Sequence, residues 1–94
     1  MKVVWTKFSE ISLLDIVNYI ENDFGSLVAE KYYFKVIETV DNIEINPELF
    51  PIYQKSTETR KAVINKKTIL YYKVTDEDIT LLAFFDVRMG NHKL

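Results

Sequence analysis

Cysteine is absent from this chain of 94 residues, and glycine and proline occur only twice each. Without thiols, neither a disulfide framework nor a thiolate zinc site can form. The shortage of glycine and proline leaves few breaks, so most of the chain is expected in regular elements. A single histidine, His92, cannot assemble a metal site alone, and as the sole base for a Ser-His-Asp arrangement it would have to act from the last three residues. No glycine-rich phosphate loop is present. No stretch approaches the ~20 apolar residues of a membrane span. The opening Met1-Lys2-Val3-Val4-Trp5-Thr6-Lys7 meets charge before any run of signal-peptide length. The expectation is therefore a cytoplasmic protein that needs no metal, no cofactor and no membrane.

What is present suits one small domain spanning residues 1–94. Hydrophobic residues make up 48% of the chain, with six Tyr, six Phe and Trp5, enough for a packed core and too much for disorder. A chain of this size buries about two-thirds of its unfolded surface, which leaves little room for a deep enclosed cavity. The formal net charge of −2 hides an asymmetry. Residues 1–59 hold five lysines against ten acids, whereas residues 60–94 hold seven bases against four acids. From Arg60 to Thr75 there are five bases and no acid. Such a run either meets an anionic partner or forms a solvated sheet face balanced by acidic helices.

Val3-Val4-Trp5 reads as a short first strand. Thr6 or Ser9 can cap a helix whose apolar stripe is Ile11, Leu14, Val17 or Ile16, and Ile20, ending at Gly25. Ser26 can cap a second helix with the stripe Ala29, Tyr32, Tyr33, Val36, Val40 and Ile43. The turn between the two is so short that they form an αα-hairpin. Pro47 and Pro51 stop the second helix, and an irregular loop is expected to Glu58. Strands follow at Lys61–Ile64, Thr68–Val74 and Ile79–Val87, with turns at Asn65-Lys66-Lys67 and at Thr75-Asp76-Glu77-Asp78. The fold class is α+β: an N-terminal strand, then a helical hairpin packed on a C-terminal antiparallel meander. One sheet face is left free to meet a partner.

The residues able to carry chemistry are cationic and aromatic. Arg60 and Lys61 open the first meander strand, Lys66 and Lys67 occupy its turn, and Arg88 follows the third strand. Arg60 and Arg88, the only arginines, are expected to converge at one edge region of the sheet, where planar forks suit a phosphate or carboxylate. The alternative is an ion pair of Arg88 with Asp86 or with helix acids. Tyr71 and Tyr72 point to opposite faces of their strand, so one belongs to the core and the other can stack on a base or a peptide. Trp5, Tyr32 and Tyr33 are expected in the core.

Four segments together resemble the RelE/ParE superfamily of bacterial toxins from type II toxin–antitoxin pairs. They are Val4-Trp5-Thr6; Leu14-Asp15-Ile16-Val17-Asn18-Tyr19-Ile20; Asn46-Pro47-Glu48-Leu49-Phe50-Pro51; and Arg60-Lys61 leading to Ile69-Leu70-Tyr71-Tyr72-Lys73-Val74. The ending from Phe85-Asp86-Val87-Arg88-Met89 to Lys93-Leu94 is similar to one branch of that superfamily. The resemblance implies a helical hairpin on an antiparallel sheet and a cognate antitoxin that holds the toxin inactive. It implies one of two targets, mRNA on the ribosome or DNA gyrase. For a ribosome-dependent mRNA interferase it implies a catalytic set drawn from Arg60, Lys61, Arg88 and His92, with Lys66, Lys67, Tyr71 and Tyr72 binding RNA or a partner. Two departures stand against that set: Thr68 occupies a position where the nucleases carry a further arginine, and Gly90-Asn91-His92 replaces a proline-containing tail. The acid-free basic run beside Tyr71 and Tyr72 nonetheless points to RNA, the alternatives being a gyrase inhibitor without chemistry and an inactive antitoxin-binding remnant. As a nuclease residue at an exposed strand end, Arg88 is expected to matter little to stability, ~0.5 kcal/mol, and much to the reaction, ~3–4 kcal/mol.

Overall fold

The computed structural model describes residues 1–90, so His92 lies outside the described residues. Five strands and two helices follow in the order β1 (Lys2–Trp5), α1 (Lys7–Phe24), α2 (Ser26–Ile45), β2 (Ile52–Gln54), β3 (Thr59–Ile64), β4 (Thr68–Val74) and β5 (Asp78–Asp86). They form one five-stranded sheet of order β1-β5-β4-β3-β2, with both helices on one face. The antiparallel meander is β3-β4-β5. Two features extend the sequence expectation. β1 pairs parallel to β5, which makes the sheet mixed, and the stretch expected as irregular loop supplies the short edge strand β2, followed by a single 3₁₀ turn.

Gly25 both ends α1 and begins α2. Its amide donates to the Glu21 carbonyl at 2.9 Å, and its own carbonyl accepts from Ala29 at 3.2 Å. That dual role requires φ of 93°, a conformation that a Cβ disfavours, so the tight hairpin depends on this glycine. Ser26 is the first helical residue and makes no side-chain cap.

The α2 stripe follows the expected positions except at Tyr33, which is exposed. α1 differs more. Its buried residues are Ser9, Ser12, Leu13, Ile16 and Ile20, whereas Ile11 and Leu14 face outward. The reason lies in β5. A bulge at Leu82 sets Tyr71 opposite Ala83 but Tyr72 opposite Leu81, which breaks the ladder locally. The groups it frees are met by α1: the Thr6 hydroxyl donates to the carbonyls of Leu81 (2.8 Å) and Leu82 (3.2 Å), and the Phe84 amide donates to the Ser12 hydroxyl at 3.0 Å. Thr6 also caps α1 by accepting from the Ser9 amide at 3.0 Å. Small hydroxyl residues thus take the sheet-facing positions over the bulge, and the larger aliphatics are turned away. Ser12→Ala should destabilise the domain by ~1–3 kcal/mol, since it leaves the Phe84 amide buried without an acceptor. Urea unfolding checks this, with the Leu14→Ala protein, altered at an exposed site, as the comparison.

Candidate functional site

The meander runs up, down and up, so β3 and β5 start at the same end of the sheet. Arg60 pairs across from Tyr72, which pairs with Leu81 near the start of β5, while Asp86 at the end of β5 pairs with Thr68. Arg60 and Arg88 therefore stand at opposite ends of the sheet, which corrects the expectation that they converge.

Each arginine is already engaged. Arg60 Nη1 donates to the Phe50 carbonyl at 2.7 Å, and Nη2 lies 3.4 Å from a Glu48 carboxylate oxygen. The Tyr72 hydroxyl donates to the Pro47 carbonyl at 2.9 Å. Together these two side chains hold the proline loop that leads from α2 into β2. Tyr72 is fully buried and so is not a stacking platform; burial also raises its phenol pKa.

At the other end, Asp86 is the hub of a polar network under the helices. Its carboxylate, with no exposed surface, accepts from Arg88 Nε at 2.8 Å and Nη2 at 2.7 Å, from the Arg88 amide at 3.0 Å, and from the Thr68 hydroxyl at 2.6 Å. The Thr68 hydroxyl shares a 2.9 Å bond with the Tyr32 hydroxyl, and the Arg88 guanidinium lies 5.6 Å from the Tyr32 ring centre. The Tyr19 hydroxyl closes the network by donating to the Arg88 carbonyl at 3.0 Å. Burial pushes Asp86 up, but the bidentate Arg88 fork, with Thr68 and the Arg88 amide, more than reverses this and holds it below the ordinary carboxylate value. Burial also pushes Tyr32 up to about 12, against the opposing pull of Thr68. Arg88 is thus the counter-ion of a buried acid. The expectation that its loss is nearly silent for stability does not hold, because removing one partner strands the other. Thr68, where an arginine would have extended a phosphate clamp, is an interior link between α2 and β5.

The remaining cations and one tyrosine lie elsewhere. Lys66 and Lys67 are exposed at the β3–β4 turn, where Asn65 and Lys66 both take left-handed backbone, as in a type I′ turn. Lys61 is paired across from Tyr71 on the sheet face opposite the helices. Its ammonium lies 5.3 Å from the Tyr53 ring centre, Tyr53 packs on Tyr71 at 5.1 Å, and Tyr71 meets Phe85 edge-on at 6.0 Å. Sequence reasoning placed Tyr53 in a loop and missed this row. The signal was available in Ile52-Tyr53, an apolar pair following Pro51.

On the helix side, a groove of about 460 Å³ is lined by Trp5, Glu10, Leu13, Leu14, Val17 and Tyr33. Leu14 is 58% exposed there. No described helix is long and apolar enough to cross a membrane.

Residues 3–90 match the family described as "ParE toxin of type II toxin-antitoxin system, parDE". No curated protein matches the chain. Among solved structures, the chromosomal ParDE toxin–antitoxin system from P. aeruginosa is similar in fold, with a TM-score of 0.78 at 16% identity over 92% of this chain and 95% of that one.

Proposed function

The chain belongs to the ParE toxin family of type II toxin–antitoxin systems, and from that premise we propose that it disables DNA gyrase by binding it and does not cut RNA. One observation carries this reading: the two arginines that a phosphate clamp would need stand at opposite ends of the sheet, each held by acceptors of the chain itself. Phosphoryl chemistry without a metal needs cations converging on one oxygen cluster, with a proton donor and acceptor in reach. Lys66 and Lys67 share the Arg88 end of the sheet, where the Val87 amide donates to the Lys67 carbonyl at 2.9 Å, but the guanidinium there is held by Asp86. Binding requires only surface, and the molecule has surface in excess, with Phe8, Leu14, Leu27, Phe34, Ile52 and Tyr53 all exposed.

Membership of the family also implies a cognate antitoxin. We place it in the groove of Trp5, Leu13, Leu14, Val17 and Tyr33. α1 and α2 carry eight acids against three lysines, so the fitting partner is an amphipathic helix with apolar anchors and basic flanks.

Expression without the antitoxin should arrest bacterial growth, leave messages whole and induce the DNA-damage response, while purified protein should block supercoiling by gyrase in vitro. Mapping of mRNA 5′ ends and a plasmid supercoiling assay decide this. Messages cut at codon boundaries with normal supercoiling would restore the interferase reading, and harmless accumulation of soluble protein would leave an antitoxin-binding remnant.

A further inference from the structure

The sheet face opposite the helices is accounted for neither by the core nor by the groove assigned to the antitoxin. Its charge is opposite to that of the helical side. β3, β4 and their turn, Thr59–Val74, hold no acid, and four lysines, Lys61, Lys66, Lys67 and Lys73, lie on this face or in the turn at its end, in a protein whose net charge is −2. Near Lys61 the surface is concave and apolar: a groove of about 350 Å³ is lined by Phe50, Pro51, Ile52, Tyr53, Lys61 and Val63. Ile52, Tyr53 and Val63 are each more than 40% exposed, so the fold gains little from their apolar character.

We propose that this β2–β3 face docks an acidic polypeptide segment carrying a bulky apolar side chain, with the apolar group in the groove beside Tyr53 and Val63 and a carboxylate on Lys61. Charge complementarity selects the acid, since Lys61 and Lys73 share this face and Lys66 and Lys67 project from the turn at its end. The geometry disfavours the other polyanion, a single-stranded nucleic acid. Base stacking needs an open ring face, but Tyr53 carries the Lys61 ammonium at 5.3 Å and leans on Tyr71 at an interplanar angle of 55°, while Tyr71 meets Phe85 at 71°. Nor does this face offer a guanidinium for bidentate phosphate grip, because Arg60 is turned to the proline loop and Arg88 to Asp86. Lysine ammonium groups at the edge of an apolar groove suit carboxylates flanking a hydrophobic anchor. This surface stands whether or not gyrase is the partner that supplies the segment.

The test uses the whole ¹⁵N-labelled chain and three probes: a short synthetic peptide of glutamates with two phenylalanines, the same peptide with both phenylalanines replaced by serine, and a single-stranded RNA of similar length. The amides of Tyr53, Lys61 and Val63 should shift on titration with the phenylalanine peptide. Affinity should fall about tenfold for the serine peptide and by at least about that much for Lys61→Glu, with a steep salt dependence. Tyr53→Ser, changed at an exposed ring, gives a second reading should Lys61→Glu fold poorly. Three outcomes overturn the proposal: no shifts up to millimolar peptide, shifts confined to the α1–α2 groove, or RNA that binds the same amides more tightly than the peptide.

Discussion

An Arg88→Ala protein melts ~12–25 °C below wild type at neutral pH. Removing one member of a buried, hydrogen-bonded ion pair costs ~3 kcal/mol or more, and each kcal/mol moves the midpoint of a domain this size by ~4–8 °C. The variant leaves Asp86 without exposed surface and without a cation, supported only by Thr68 and the backbone amide of residue 88. Proton linkage gives the effect a signature. In the wild type the folded-state pKa of Asp86 is depressed, so its contribution is present above the ordinary unfolded value, ~3.9, and is lost as pH falls through the lower folded value. In the variant, burial dominates and the folded pKa rises above the unfolded one, so protonation relieves the stranded charge. The difference between the two proteins should therefore be widest near neutrality and narrow below about pH 4. Circular-dichroism melts across the acid range measure it, and a gap that stays constant would show that Asp86 is not the cause. A toxicity assay on Arg88→Ala alone thus cannot separate a lost target contact from a lost fold.

Leu14→Glu abolishes rescue by the antitoxin while the toxin remains folded and active. Leu14 lies in the wall of the helix-side groove and is outside the buried core. A carboxylate there costs the fold within ~0.5 kcal/mol. Against an apolar anchor flanked by basic residues, loss of a central hydrophobic contact costs ~2–4 kcal/mol, or about thirty- to a thousandfold in affinity. Growth with the cognate antitoxin co-expressed, and calorimetry of the purified pair, read the two effects separately. Rescue at the wild-type level would move the antitoxin to another surface.

The parts of the fold visible in the sequence are those governed by one period or one residue. The α2 stripe repeats except at Tyr33, Gly25 and Pro47 punctuate, and β4 and β5 are largely apolar runs with β-branched and aromatic residues among them. α1 was misphased because its sheet-facing side is set by a bulge in β5, seventy-odd residues away, that requires hydroxyls where an aliphatic stripe would normally pack. Periodicity counts apolar residues and is blind to a serine doing that job. The expected convergence of Arg60 and Arg88 fails on topology, because in an up-down-up meander the first and third strands run the same way. Tyr72 illustrates the limit of alternation, which shows that Tyr71 and Tyr72 face apart without saying which faces the helices. Asp86 had a legible hint: a carboxylate closing the run Leu81-Leu82-Ala83-Phe84-Phe85 needs a partner if buried, and Arg88 two residues on is the nearest cation.

The parallel pairing of β1 with β5 has a consequence for how this toxin comes into being. During synthesis, Thr6, Ser12 and the apolar sides of α1 and α2 emerge long before the strand that receives them, and loop closure over that span must precede its reward. Until β5 is translated, α1 lacks the strand that receives Thr6 and Ser12, and its apolar side is open to whatever is nearby. An antitoxin already present in the cell would meet the nascent chain with its helices still exposed, so neutralisation can begin before there is a folded toxin to neutralise.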